Sequence, residues 1–366
     1  MSVSIGTKIL ACILSFFAFF SVTKGEGQPN NIPETRFSDV ELAQDKYGIW
    51  PDEDFTVADP ASMGVNAKQL DNRLALAEKL NGAQYSDSFL VLRGGRLVYE
   101  RYFNGYDENT PHYLASVTKS FISALTGIAI RDGYVQGVDQ KVADFFPEAV
   151  ITEESKRDMT IEHLLTMTSG LHGDAAGDDF WEEVYTSDNP GKVVFELAQT
   201  DLPGEKYSYD SMAVNLLAFL LARAVGKDLF SYAKEVLFEP LGMDSVVWGA
   251  TDTGWYEGGY GIDVTPRDML RFGYLYLNQG RWKDTQILPV EWVLQSPSKT
   301  QNFLGYGRLF WNERFNNFQG FYQANGANGQ FINIYPSLDM VVVQTSNTHS
   351  DVRDLLLFPL VQLWAR

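Results

Sequence analysis

Two hairpin signatures near opposite ends of this chain constrain its fold more than anything between them. The first joins Phe89-Leu90-Val91-Leu92-Arg93 to Arg96-Leu97-Val98-Tyr99-Glu100-Arg101-Tyr102-Phe103 through Gly94-Gly95. Apolar, β-rich runs on either side of a Gly-Gly pair form adjacent antiparallel strands, because glycine accepts the positive φ of a tight turn. The second joins Phe331–Tyr335 to Met340–Thr345 through the turn-forming Pro336-Ser337-Leu338-Asp339. Strands at both ends with helices between them predict an α+β fold. One antiparallel sheet is built from the two chain ends and flanked by helices, with a mostly helical insertion at about residues 150–250.

Helical spacing is read from Asn66 to Leu80 and from Phe121 to Ile130, the latter stopping near Gly133. It returns at Ile161–Met167, Lys192–Leu197, Met212–Val225, Leu229–Val236 and across Gly261 to Gly280. A terminal helix is expected from Asp351 to Trp364. No internal repeat or low-complexity tract interrupts this order.

The beginning of the chain has a different character. Lys8 precedes an apolar run from Ile9 to Val22, which breaks at Thr23-Lys24-Gly25. Residues 1–25 therefore read as a secretory signal peptide. The run is shorter than the roughly 20 residues a spanning helix requires, which argues against an anchor. Cys12, the single cysteine, lies inside the run and not after it, which argues against a lipoprotein. Residues 26–60 read as a surface-wrapping leader and 61–366 as the functional domain, exported to a bacterial periplasm. The formal net charge of −18 weighs against nucleic acid and anionic membrane surfaces as partners. A mature chain without cysteine has no disulfide and no thiolate metal site.

Chemistry is concentrated at Ser116-Val117-Thr118-Lys119, which opens the Phe121–Ile130 helical stretch. Positions three apart share a helix face at roughly 5–6 Å, so the Lys119 amine can reach the Ser116 hydroxyl and take its proton. A serine in the first turn also places its N–H at the positive end of the helix, where an oxyanion is favoured. A second candidate is Tyr209, in Pro203-Gly204-Glu205-Lys206-Tyr207-Ser208-Tyr209-Asp210-Ser211.

These segments resemble the serine β-lactamase and penicillin-binding-protein superfamily, on its class C β-lactamase, carboxylesterase and 6-aminohexanoate-dimer hydrolase side. Thr160-Ile161-Glu162-His163-Leu164-Leu165-Thr166-Met167-Thr168-Ser169-Gly170-Leu171 and Glu239-Pro240-Leu241-Gly242-Met243 are similar to further family elements, and the likeness runs from about Phe89 to Arg366. The resemblance implies that Ser116 attacks an acyl carbonyl, Lys119 handles its proton, and Tyr209, at the first position of a Tyr-x-Asn motif, relays a proton to the leaving group. It implies an oxyanion hole from the backbone N–H groups of Ser116 and Ala327. Ala324-Asn325-Gly326 then corresponds to the third motif. An unperturbed lysine is neutral in about one molecule in two thousand at pH 7, so either the Lys119 pKa is lowered or Tyr209 shares the proton, and a hydrogen-bonded Ser116–Lys119–Tyr209 cluster titrates as a unit.

Two departures from the pattern bear on substrate. Ser211 replaces the asparagine of Tyr-x-Asn, and Ala324 replaces the lysine or histidine of the third motif, removing a cation that would face a β-lactam carboxylate. Together with Asn325 and Gly326, they are the expected substrate-binding positions. The expectation is a cofactor-free and metal-free serine hydrolase of small esters or linear amides. The alternatives are a D-amino-acid peptidase or weak β-lactamase, and a non-catalytic acyl-binding sensor. His112, His163, His172 and His349 form no tight ligand pair, and Ser169 lacks a G-x-S-x-G elbow. Trp181, Phe180 and Trp255 fit the lining of a substrate cleft but read first as core aromatics, and the Ala324–Ala327 stretch also fits a turn before the Phe331 strand.

Overall fold

The computed structural model describes residues 49–51, 54–81, 86–298, 305–312 and 320–347. The signal segment, Cys12, most of the leader, His349 and the expected terminal helix lie outside the described residues.

Six strands form the main sheet: β1 Ser88–Arg93, β2 Arg96–Tyr102, β3 Trp311–Asn312, β4 Tyr322–Gly326, β5 Gln330–Tyr335 and β6 Met340–Thr345. Their spatial order is β2-β1-β6-β5-β4-β3, all neighbours antiparallel. The two terminal hairpins thus meet at the centre, with Leu90 opposite Val343 and Val91 opposite Val342. Gly94 and Gly95 turn the first hairpin at φ 56° and 73°. Strand periodicity sorts the side chains into two layers. Phe89, Val91, Met340 and Val342 face one core, whereas Leu90, Leu92, Val341 and Val343 face the other.

Four principal helices surround this sheet: α1 Ala67–Asn81, α2 Thr118–Arg131, α3 Ser211–Val225 and α4 Pro266–Leu277. Helix α1 sends Leu70 into the smaller core. On the opposite face, α4 presses against β5 and β6. A Cβ at Gly273 would lie 2.5 Å from Val341 and 2.8 Å from Ile332, so glycine sets that approach. Every residue of α2 from Thr118 to Ala129 is buried, the mark of a helix surrounded by protein. It lies between the sheet and α3, whose own apolar residues fill the helical region.

Two expected elements shift. Gly261–Gly280 begins with a short strand, Ile262–Val264, paired with His112–Tyr113 and Val247–Trp248. Thr265 then caps α4 and Pro266 occupies its first turn, residues suited to opening a helix. The Leu229 helix is α-helical to Ala233 and π-helical over Lys234–Phe238. Nearby Pro240 supplies no N–H to the ladder. The described end of the leader packs against the domain. Trp50 lies 5.5 Å from Tyr274 and 5.6 Å from Trp282, and Val57 bridges Leu97.

Candidate active site

Ser116 sits in a 3-10 turn, Ala115–Val117, immediately before α2 and not on the helix itself. The turn begins with Ala115 at φ 47°, a left-handed conformation costing a non-glycine residue about 1–2 kcal/mol. It is held from both sides, since Leu114 N donates to Ile262 O at 2.9 Å and Val117 N to Leu114 O at 3.1 Å. One helical turn on, the buried Lys119 Nζ donates to Ser116 Oγ at 3.0 Å, Ser211 Oγ at 3.1 Å and Gly259 O at 2.6 Å. Three acceptors match the three N–H bonds of an ammonium. A neutral amine could keep two of those bonds and turn its lone pair to the Ser116 proton.

Tyr209 completes the cluster. Its ring is stacked on Trp311 at 5.8 Å and edge-on to Tyr306 at 6.1 Å, and Lys119 Nζ stands 4.9 Å from its centroid. Burial raises the phenol above its ordinary pKa and the Asp174 charge adds to this, while a hydrogen bond with Ser116 opposes it. The next residue, Asp210, caps α3 by accepting from Met212 N and Ala213 N at 3.0 and 3.4 Å.

Gly259 reaches Lys119 through a tight loop. Asn215, buried on α3, accepts from Gly258 N at 2.9 Å and Gly259 N at 2.7 Å. A Cβ on Gly258 would lie 2.4 Å from Val214 O and one on Gly259 2.8 Å from Ser211 O, so neither position has room for a side chain. Beyond this loop, burial pushes the Glu257 carboxyl up to about 8. Tyr185 donates to Glu257 and lies 2.6 Å from the Tyr260 hydroxyl.

The third-motif residues lie on a strand. Ala324, Asn325 and Gly326 belong to β4, and Ala327 opens the turn to β5. A Cβ on Gly326 would stand 2.2 Å from Leu114 O and 3.2 Å from Val117 N, so this strand end abuts the Ser116 turn directly. Ala324 packs within the main core, opposite Ile332. Asn325 is buried as well.

Ser116, Lys119, Tyr209 and Ser211 are therefore brought together, and the β4 end is set against them. Ser211, expected to touch substrate, is bonded to Lys119. His163 is structural, its ring accepting from Thr160 N at 3.1 Å. Burial lowers the His112 pKa to about 4. Ser169 accepts from Leu171 N within its own turn. Trp181 is buried against Tyr185 and Tyr260, Phe180 packs against the core, and Trp255 packs edge-on to Phe219. Sequence reasoning missed Asp174, Asn215 and Gly259. The one available signal was a lone amide in the apolar helix, four residues after Ser211.

Comparison with known proteins bears on this assembly. The 6-aminohexanoate-dimer hydrolase of Paenarthrobacter ureafaciens is 26% identical over 321 residues, covering 79% of this chain and 80% of that protein. A penicillin-binding-protein homologue from Caulobacter crescentus shares the fold with a TM-score of 0.67 at 15% identity, over 84% of this chain and 98% of its own. An octameric penicillin-binding-protein homologue from Pyrococcus abyssi does so with a TM-score of 0.65 at 17% identity, over 82% and 78%. A family profile described as Beta-lactamase matches residues 74–363, and with that match spanning sheet, helices and the Ser116–Lys119–Tyr209 cluster alike, the chain belongs to the β-lactamase family and has its β-lactamase/transpeptidase-like α+β fold.

Proposed function

We propose that this protein is an exported serine hydrolase that cleaves esters or linear amides through an acyl-Ser116 intermediate. The observation that carries the reading is the 3.0 Å contact from Lys119 Nζ to Ser116 Oγ, with the Tyr209 ring 4.9 Å from the same amine. In this scheme Ser116 Oγ bonds to the substrate carbonyl carbon as its proton passes to the Lys119–Tyr209 pair. Backbone N–H groups of Ser116 and Ala327 hold the oxyanion, a contribution of about 3–4 kcal/mol per donor. The carbonyl re-forms, Tyr209 protonates the departing oxygen or nitrogen, and water then repeats the sequence to release the acid.

Support for a linear substrate comes from Ala324, whose methyl group lies in the core where a cation would help bind a cyclic carboxylate. The Paenarthrobacter relative, by name a hydrolase of 6-aminohexanoate dimer, supports an amide as readily as an ester. Export rests on the apolar run from Ile9 to Val22. Among the described residues no helix is long and apolar enough to cross a membrane.

The test is hydrolysis of p-nitrophenyl butyrate by the mature chain and by Ser116→Ala, with intact mass followed during turnover. Activity lost in the variant, with a transient acyl adduct on the wild type, is the expected result. Undiminished activity in Ser116→Ala would sink the acyl-serine scheme. Preferred cleavage of a cephalosporin or a D-alanyl-D-alanine peptide would move the substrate class to the peptidase and lactamase reading. A stable adduct without turnover would favour the sensor.

A further inference from the structure

The loop His172-Gly173-Asp174 is fastened residue by residue along Ser208–Met212. His172 Nδ1 lies 3.1 Å from Ser208 Oγ, while its Nε2 lies 2.6 Å from Asp201 Oδ2. Gly173 N donates to Asp210 Oδ2 at 2.7 Å and Asp174 N to Asp210 Oδ1 at 3.1 Å. In return, Asp174 Oδ2 accepts from Ser211 N at 2.8 Å and its Oδ1 from Met212 N at 3.0 Å. These bonds fall on Ser208, Asp210, Ser211 and Met212, on both sides of Tyr209. A Cβ on Gly173 would stand 2.5 Å from that of Met212, so the two segments are in backbone-level contact. His172 itself is held at φ 53°.

We propose that His172 and Asp174 are positioning residues, fixing Ser208–Met212 so that Tyr209 and Ser211 meet Ser116 and Lys119, with Asp174 also setting the charge behind that cluster. The inference rests on the reading of Tyr209 as a proton-transfer group.

Among the described residues, four ionisable groups surround Asp174. Asp210, Lys119, Tyr209 and Tyr260 all act on it or feel it. Its Oδ1 and that of Asp210 both accept from Met212 N at 3.0 Å, and two carboxylates so close cannot both ionise freely. Burial and then the Asp210 charge push Asp174 up to about 7, against the pull of Lys119 and the Ser211 and Met212 N–H groups. When ionised, Asp174 favours the protonated form of Tyr209. Its loss therefore lets the Ser116–Lys119–Tyr209 unit release its proton at lower pH.

The experiment compares wild type, Asp174→Asn and His172→Asn across the neutral pH range. It measures kcat and KM for p-nitrophenyl butyrate, the rate of Ser116 labelling by a fluorophosphonate, and Tm. Both variants are expected to lose about 10–100-fold in kcat and labelling rate, with KM within about twofold. The acid limb of Asp174→Asn should move to lower pH and that of His172→Asn should stay in place. Rates within about twofold of wild type, or coincident limbs for Asp174→Asn and wild type, would overturn the proposal. Asparagine tolerates the left-handed backbone at 172, so His172→Asn decides through the kcat–KM split even if Asp174→Asn does not fold. A wild type unlabelled at Ser116 would overturn the acyl-serine reading; a labelled wild type matched by both variants would overturn the positioning role alone.

Discussion

Asn215 and Gly259 are joined by a 2.7 Å hydrogen bond that reaches Lys119 from behind. The Asn215 amide oxygen takes the N–H of Gly259, and the carbonyl of that same glycine takes a proton of Lys119 at 2.6 Å. A side chain on α3 thereby aims a backbone carbonyl at an amine on α2. Asn215→Ala leaves the N–H groups of Gly258 and Gly259 buried without their acceptor. The expected cost is about 2–4 kcal/mol of stability by urea unfolding, with kcat lowered at least about tenfold. An unaltered kcat in a folded variant would show that Lys119 does not depend on this carbonyl.

Tyr209→Phe keeps the ring against Trp311 and removes only the hydroxyl. The expected result is a fall of about 10²–10⁴-fold in kcat/KM with little change in Tm. Stopped-flow separation of acylation from deacylation checks it, since a proton relay slows both steps.

Ser211 provides a sharper choice between roles, because its hydroxyl lies 3.1 Å from Lys119 Nζ. Ser211→Ala should lower kcat about tenfold and leave KM within about twofold, as expected when a transition-state interaction is lost. A raised KM at constant kcat would return Ser211 to substrate binding.

Stability should fall as the solution becomes alkaline. Burial moves Glu257 from its ordinary 4.5 up to about 8 and Asp174 from 3.8 up to about 7. Both folded-state values are raised, so the folded protein holds protons that the unfolded chain has released. Their contribution is complete below the unfolded values and is lost as pH rises through about 7 and 8. Denaturation at fixed pH should show a loss on the order of 4 kcal/mol from Glu257 alone between about pH 5 and about pH 9, with Asp174 adding in the same direction. Glu257→Gln, still able to accept from Tyr185, should remove much of that slope; an unchanged slope would rule out Glu257 as its source.

What was legible in the sequence follows the range of the interactions. Continuous apolar, β-rich runs along β1 and β6, each beside its own turn residues, made the hairpins visible, because those signals are local. The Ser116–Lys119 contact spans three residues and was readable as a local fact. Tyr209 came from resemblance, since no local rule says which tyrosine faces a serine 93 positions earlier. Asp174, Asn215 and Gly259 act across loops whose meeting depends on how α2, α3 and the sheet pack. Ser211 was placed by its motif, and its bond to Lys119 was not readable, because a motif fixes a position and not a partner. The Ala324–Ala327 stretch was ambiguous for a similar reason: three of its four residues join a strand whose pairing is set by β5.

Gly326 and Ala324 stand two residues apart on one face of β4, yet evolution has unequal freedom at the two positions. Any side chain at 326 must displace the carbonyl of Leu114, and with it the turn that presents Ser116. Position 324 already carries a buried methyl group, and a larger residue there meets the side chains of the core and not the carbonyl of Leu114. A lineage built on this framework can therefore vary 324 by repacking side chains, while 326 stays locked to glycine by the backbone it touches.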